Sequence, residues 1–302
     1  MNDMSELSGA LERMVGDARR ETAEAQATRP LAELRKMIAD APPLLSFHDA
    51  LAREFGLIGE IKDRSPSMGA MHKSNVEKAP QAYRDSQAVK AISILTNRAN
   101  FGPAMTMERL RSVKVTANKP VLRKDFIVDS YQIYEARAFG ADAILLMANV
   151  LSKEELMRLH GVAGELGLDV LFETHTPEEI RKVPCGAAIY GINCRSFNSE
   201  GGTFAVSRTL RSIGKWIGVS KDLTIDFSRF AYIKDLPSAS LKVAESGVSP
   251  ERCQEIRNAG FHCILVGTSL LIGPEPIESV LQRFEKALAS EAQNAVVSAR
   301  PQ

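Results

Sequence analysis

Three observations in the sequence predict an α/β protein built as one (β/α)8 barrel, with an N-terminal helical extension and an insertion between strands 6 and 7. First, eight short apolar runs, rich in leucine and β-branched residues, recur from residue 57 onward. Second, helix-like stretches separate them, with glycines where the helices should stop. Third, the runs are apolar throughout rather than alternating, as expected of parallel strands buried on both faces. The rival architecture, a doubly wound open sheet, is disfavoured because the turn after the first run has no G-x-G-x-x-G. By length alone 302 residues allow two domains, yet a barrel of this kind fills such a length as one.

Residues 1–45 form the extension. Leu7, Leu11, Met14 and Val15 fall at helical spacing, followed by a charged run through Arg19, Arg20, Glu21 and Glu24. Pro30 can open a second helix carrying Leu31, Leu34 and Met37, and Pro42 with Pro43 stops it. The expected role is a packing cap on the barrel. The barrel itself is placed at 46–290, with strands at 57–62, 91–95, 120–124, 143–147, 170–173, 189–193, 241–245 and 263–267. Helices are expected at 131–139, 152–166, 177–182, 250–258 and 276–288, and Gly140, Gly167 and Gly260 read as stop signals. Residues 199–202 read as a flexible loop, and 291–302 as a flexible tail. The stretch 214–240 is too long for a plain connection and carries Trp216, Phe227, Phe230 and Tyr232. It is expected to hold a small helix over one face, to be dispensable for the barrel core, and to offer a partner surface.

Composition excludes several classes of function. A net charge of +1 gives no bulk attraction to nucleic acid or to a membrane. The apolar runs, such as 143–148, are too short to span a bilayer. Cys185, Cys194, Cys253 and Cys263 form no C-x-x-C pair, and the N-terminus has no secretory apolar region, so reduced thiols in the cytoplasm are expected. The five histidines show no ligand spacing. No metal site is expected.

The residues that carry chemistry sit at strand ends. Glu60 and Lys62 are two apart, so on a strand they point to one side. Alone, such a pair more often neutralises itself at a surface. Strand 3 adds Lys124, followed by Asp125 and Phe126; strand 5 ends at Glu173; strand 6 ends at Asn193, with Arg195 just beyond; strand 7 ends at Glu245. Each is as readily a structural ion pair. Charges are costly to desolvate unless paired or used, so their accumulation at one rim argues for proton transfer on an anionic small molecule. Ser246 with Gly247, and Gly267 with Thr268, lie at the last two strand ends, the usual phosphate corner of this fold, where small residues let backbone N–H groups approach an anion. Plain turn-making is the other reading of these glycines.

Together these segments resemble the indole-3-glycerol phosphate synthase family over residues 5–288. The resemblance rests on Glu-Ile-Lys-x-x-Ser-Pro-Ser from Glu60, Ile94-Leu95-Thr96, Leu-Arg-Lys-Asp-Phe-Ile from Leu122, Tyr131-Gln132-Ile133 and Gly-Ala-Asp-Ala-Ile-Leu-Leu from Gly140. It rests further on Gly-Ile-Asn-x-Arg from Gly191, Glu-Ser-Gly-Val from Glu245 and Leu-Val-Gly-Thr-Ser from Leu265. It implies closure of 1-(2-carboxyphenylamino)-1-deoxyribulose 5-phosphate to indole-3-glycerol phosphate with loss of carbon dioxide and water, in tryptophan biosynthesis, with no metal or organic cofactor needed. Catalytic residues carried over are Glu60, Lys62, Lys124, Glu173, Asn193 and Glu245. Lys124 is implied as general acid at the ketone, Lys62 as donor to the departing hydroxyl, and Glu60 or Glu173 as base. Asn193 would orient a hydroxyl or the amine. Arg195 and Lys62 suit the substrate carboxylate; Ser65, Ser246, Gly247, Gly267 and Thr268 suit the phosphate; Phe101 and Phe126 suit the aromatic ring. The chain departs from the family pattern at Met68, Asn97, Pro103 and Cys194, and in the 199–202 and 214–240 stretches. These departures keep two rivals open: another sugar-phosphate barrel enzyme, and a non-catalytic anion-binding or scaffold protein.

Overall fold

A computed structural model of the chain describes residues 9–66, 68–197 and 223–289. Eight parallel strands close on themselves. They are β1 (Gly56–Ile61), β2 (Val89–Leu95), β3 (Val121–Lys124), β4 (Ala143–Met147), β5 (Asp169–Thr174), β6 (Ile189–Asn193), β7 (Leu241–Glu245) and β8 (Cys263–Val266). Each pairs in parallel with its neighbours in chain order, and β8 closes onto β1. The eight strands are the eight apolar runs, with shifts of one or two residues at their ends.

The alternation of a strand sorts the side chains. Ile58, Ala91, Leu122, Ala143, Leu145, Leu171, Ile189, Val243 and Leu265 fill the barrel interior. Their neighbours, among them Leu57, Ile92, Val121, Ile144, Phe172, Ile192 and Ile264, belong to the outer core under the helices. Two residues on from an inward residue is inward again. Ile58 therefore leads to Glu60, Leu122 to Lys124, Leu171 to Glu173, Val243 to Glu245 and Leu265 to Gly267. The burial pattern that makes the barrel thus also aims its charged residues.

Helices from the N-terminal part of the chain close both ends of the barrel. Helices α1 (Gly9–Thr28) and α2 (Leu31–Ala39) are the two predicted there, and Pro30 stands at the N-cap of α2. Leu11, Met14, Val15 and Ala18 of α1 join the interior cluster beside Phe126, with Phe101, Val128 and Val150 packed against it. Phe101 and Phe126 come after β2 and β3, so α1 lies at the C-terminal end, over the mouth. Helix α3 (Phe47–Ala52) plugs the opposite end with Phe47 and Leu51, both fully buried. Its approach is pinned by two hydrogen bonds: Leu45 N donates to Asp142 Oδ1 at 2.8 Å and His48 N to Asp169 Oδ2 at 2.9 Å.

The predicted helices form at Ser130–Ala138, Lys153–Glu165, Pro177–Lys182 and Ile277–Ala289. Ser152 and Glu155 form a reciprocal capping box. Gly167 takes φ of 71°, where a side chain would be strained, as a helix stop requires. The expected helix at 250–258 is instead a 3-10 turn, Pro250–Arg252, running into an α-helix, Cys253–Asn258, a tightening common at helix starts.

The described part of 214–240 does carry a small helix, a 3-10 segment at Phe227–Asp235. It is not separate from the core: Phe230 and Leu236 are buried in the outer cluster, and the Phe230 and Phe261 rings stand 5.0 Å apart. The expectation of a dispensable insertion fails for this part, which is the cover over the β6–β7 crossover. Ahead of it, Leu223–Ile225 pairs antiparallel with Arg195–Phe197. Trp216, the 199–202 loop and the 291–302 tail lie outside the described residues.

Candidate active site

Four charged side chains from the odd-numbered strands meet in one layer at the mouth: Glu60, Lys124, Glu173 and Glu245. Contributions from alternate strands to one layer are the packing habit of this barrel. Lys124 Nζ donates to Glu173 Oε2 at 3.0 Å and lies 3.5 Å from Glu245 Oε2. Lys62, just past the end of β1, donates to Glu60 Oε1, and both side chains are buried. Neither carboxylate oxygen of Glu245 has a hydrogen-bond partner. Two glycines leave room for these acids. A Cβ on Gly191 would overlap Glu245 Oε1, and one on Gly267 would overlap Glu60 Oε1.

Electrostatics drives the two lysines apart. Burial disfavours the charge on Lys124, but the carboxylates of Glu173, Glu245 and Glu60 outweigh it and raise its pKa. Burial dominates at Lys62, and its pKa is lowered despite Glu60. The acids divide likewise. At Glu173 and Glu60, burial is outweighed by neighbouring cations, Lys124 and His175 for the first, Lys62, Lys124 and Arg195 for the second, so both pKa values fall. At Glu245, burial and the charge of Glu173 prevail over Lys124, and its pKa rises. With Glu245 protonated, Lys62, Lys124 and Arg195 face two carboxylates. The mouth then carries a net positive charge, suited to an anion. Burial lowers the Arg195 pKa against the pull of Glu60 and Glu173.

Asn193 and Ser246 form a bracket. Asn193 Oδ1 accepts from Arg195 N at 2.9 Å and from Ser246 Oγ at 2.8 Å. The carbonyl side of this amide is thereby committed, leaving its N–H2 as the donor toward the mouth. The family resemblance gives Ser246 to the phosphate, yet its hydroxyl serves Asn193. Its φ of 72° and that of Gly247, 70°, turn the backbone sharply after β7. A Cβ at Gly247 would stand 2.9 Å from Phe227 Cζ, so only glycine fits under the crossover cover. The register pairs Glu245 with Leu265, so Gly247 and Gly267 each follow two residues after the last paired position of their strands. Thr268 opens the short helix Thr268–Leu271 beside them. Ser65 is buried in the Arg64–Ser65 strand of the loop after β1. Phe126 is buried and Phe101 partly buried, both beside α1.

A cavity of about 340 Å³ lies away from this mouth, between α1 and the outside of β2 and β3. Its buried charges, Arg123, Asp125 and Glu135, are already paired with one another. Arg123 donates to Thr96 Oγ1, Gln132 O, Glu135 and Asp125 at 2.7 to 3.1 Å. We therefore place the chemistry at the mouth. No group of three or more potential metal ligands occurs among the described residues, and no described helix is long and apolar enough to cross a membrane.

Sequence reasoning missed two site residues. His175 is buried, with Nε2 3.6 Å from Glu173 Oε1. Glu173 and His175 are two apart at a strand end, the spacing that exposed Glu60 and Lys62, and the same rule finds them. In the sequence Gly191 is only part of a motif; its role as a space for Glu245 needs the partner strand to be seen.

A model of the indole-3-glycerol phosphate synthase family matches residues 11–215. Among curated relatives, the indole-3-glycerol phosphate synthase of Kineococcus radiotolerans is 36% identical over 265 residues, 87% of this chain and 86% of the relative. That of Carboxydothermus hydrogenoformans is 35% identical over 278 residues, 88% of this chain and 96% of the relative. That of Paenarthrobacter aurescens is 38% identical over 263 residues, 83% and 87% respectively. Among solved structures, 3-hexulose-6-phosphate synthase from Salmonella typhimurium superposes with a TM-score of 0.56 at 13% identity, covering 78% of this chain and 99% of that one. That likeness speaks for the fold alone.

Proposed function

The chain belongs to the indole-3-glycerol phosphate synthase family, and from that premise we propose how its two lysine–carboxylate pairs share a ring closure. The reaction is the decarboxylating, dehydrating closure of 1-(2-carboxyphenylamino)-1-deoxyribulose 5-phosphate to indole-3-glycerol phosphate, a carboxy-lyase step of tryptophan biosynthesis. The substrate is a phosphorylated small anion.

The observation that carries the division of labour is the opposite drift of the two lysines. Lys124, held charged by its acidic neighbours with Glu173 foremost, stands where charge develops on the C2′ ketone oxygen as the ring carbon attacks. It stabilises that oxygen and passes it a proton. Carbon dioxide then leaves and the benzene ring regains aromaticity. Lys62, made more acidic by burial, protonates the new hydroxyl so that it departs as water. Giving up that proton removes the cation that keeps Glu60 ionised. Glu60 therefore becomes more basic when a proton must be taken to complete the indole, and we assign it as the base. Glu173 orients Lys124. Glu245, with its pKa raised and Lys124 no nearer than 3.5 Å, is a donor to a substrate hydroxyl rather than a base.

For binding, we assign the substrate carboxylate to Arg195 and Lys62, and the aromatic ring to Phe101 and Phe126. The phosphate goes to Ser65 and to the backbone at Gly247, Gly267 and Thr268. Asn193, locked by Ser246, orients a hydroxyl or the amine. The four cysteines stand as free thiols, which supports a cytoplasmic setting.

The test is a fluorescence assay for indole-3-glycerol phosphate with no metal or cofactor added. Wild type should turn over. Lys124→Met should lose about 10²- to 10⁴-fold in kcat, the usual worth of a positioned acid, while circular dichroism shows the barrel still folded. A Lys124→Met rate near wild type would refute its role. A folded wild type that binds the substrate without turnover would favour a binding protein instead.

A further inference from the structure

We propose that His175 is a positioning residue for Glu173: an imidazole clamped between two carboxylates that fixes the acid on which Lys124 depends. The proposal rests on the division of labour given above, in which Glu173 orients Lys124.

The clamp starts from the backbone. Thr176 caps helix Pro177–Lys182 by accepting from Glu179 N at 3.2 Å. Glu179 reaches back and accepts from His175 N at 2.7 Å, so its carboxylate is fixed before it meets the ring. Its Oε2 then lies 3.1 Å from His175 Nδ1. Across the ring, Nε2 faces Glu173 Oε1 at 3.6 Å, and this nitrogen is buried with no hydrogen-bond partner. Glu173 Oε2, the other oxygen, receives Lys124. The order is therefore helix cap, Glu179, His175, Glu173, Lys124, with one contact at each step.

Both ring nitrogens face carboxylate oxygens, which only accept. The arrangement is complete only when both nitrogens carry a proton, that is, as imidazolium. A neutral ring leaves a lone pair against one of the two acids. The charged groups around the ring are Glu173 on its own strand and Glu179 on the next helix. Lys124 from β3 and Glu245 from β7 act on it through Glu173. Lys182, on the same helix as Glu179, is turned to Ala148 O. At 3.6 Å the Nε2 contact is electrostatic rather than a hydrogen bond. Catalytic contacts commonly tighten when substrate arrives, and His175 is placed to close on Glu173 then.

A purely structural role would make His175 one more part of the helix start. The experiment separates the two with the variants H175A, H175Q and E179Q in the full chain. Glutamine places an amide N–H where Nε2 lies, without a titrating ring. We expect H175A to lower kcat about ten- to a hundredfold with KM little changed, the loss seen when a partner that orients a metal ligand is removed. H175Q should recover most of that loss and should lack any part of the kcat pH profile that comes from the ring. Imidazole nitrogen NMR of wild type should show both nitrogens of His175 protonated, and E179Q should abolish that signature. The proposal is overturned by H175A with a wild-type kcat and pH profile, by a loss that H175Q does not restore, or by a ring protonated on one nitrogen only. An inactive wild type would count against the synthase reading instead, and the NMR result would still decide the clamp.

Discussion

At the scale of single residues, the mouth shows that an absent side chain can be as specific as a present one. Gly191 lies on β6 beside β7, and the space its Cβ would fill holds the carboxylate of Glu245. Gly191→Ala must therefore displace that acid or the strand. Overpacking a rigid core commonly costs about 1–3 kcal/mol, and here the strain falls on an acid that we assign to the chemistry. The variant should unfold at lower denaturant and lose kcat together. Adding Glu245→Asp, which shortens the acid, should restore stability without restoring activity. Two losses that simply add in the double variant would show that the residues do not compete for one space.

At the scale of elements, the mouth is framed by α1 as well as by the barrel loops. Glu21 of α1 accepts from Arg98 N at 3.2 Å and Ala99 N at 2.9 Å, so it caps the short helix Arg98–Phe101 from outside. Asn97 caps the same helix from within. One turn further along α1, the Tyr131 hydroxyl lies 3.0 Å from Ala25 O and 2.8 Å from Arg29 O, with one proton to give to either. The helix that carries Phe101 is thus held between α1 and its own strand. Glu21→Ala frees two N–H groups at a helix start, a loss of about 1 kcal/mol. The change reaches the side that we assign to the aromatic ring, not the lysines. KM should rise more than kcat falls, and steady-state kinetics on the purified variant decide it. A fall in kcat at unchanged KM would mean that α1 acts on the chemistry itself.

At the scale of the whole molecule, the barrel was legible because burial on both faces leaves unbroken apolar runs, and because strand parity carries that pattern up to the charged ends. Glu60, Lys62, Lys124, Glu173 and Glu245 are found by this rule. Gly191 and the service of Ser246 to Asn193 are not, since each depends on which strand lies opposite, and no local pattern holds that; His175 obeys the rule, but its place between two acids depends on the helix that brings Glu179. The sign of each pKa shift depends likewise on distances across the barrel, and one shift reaches global stability. Glu245 is moved from the ordinary 4.5 up to about 8 by burial, with the charge of Glu173 added and Lys124 opposing. Its folded form binds the proton more tightly than its unfolded form. That contribution is complete below about 4.5 and is lost as pH rises through about 8. Glu173 runs the opposite way: burial opposes it, but Lys124 and His175 bring it down to about 2. Its contribution is present above the ordinary range and lost only in strong acid. Between about pH 5 and 9, then, Glu245 is the acid of this pair that titrates in the folded state. Glu245→Gln cannot ionise, so the melting temperature of the variant should gain on that of wild type as pH is raised across this window. Thermal melts of both proteins at matched pH values test this. A gap that stays constant would mean that Glu245 is ionised throughout, and that Lys124 rather than burial governs it.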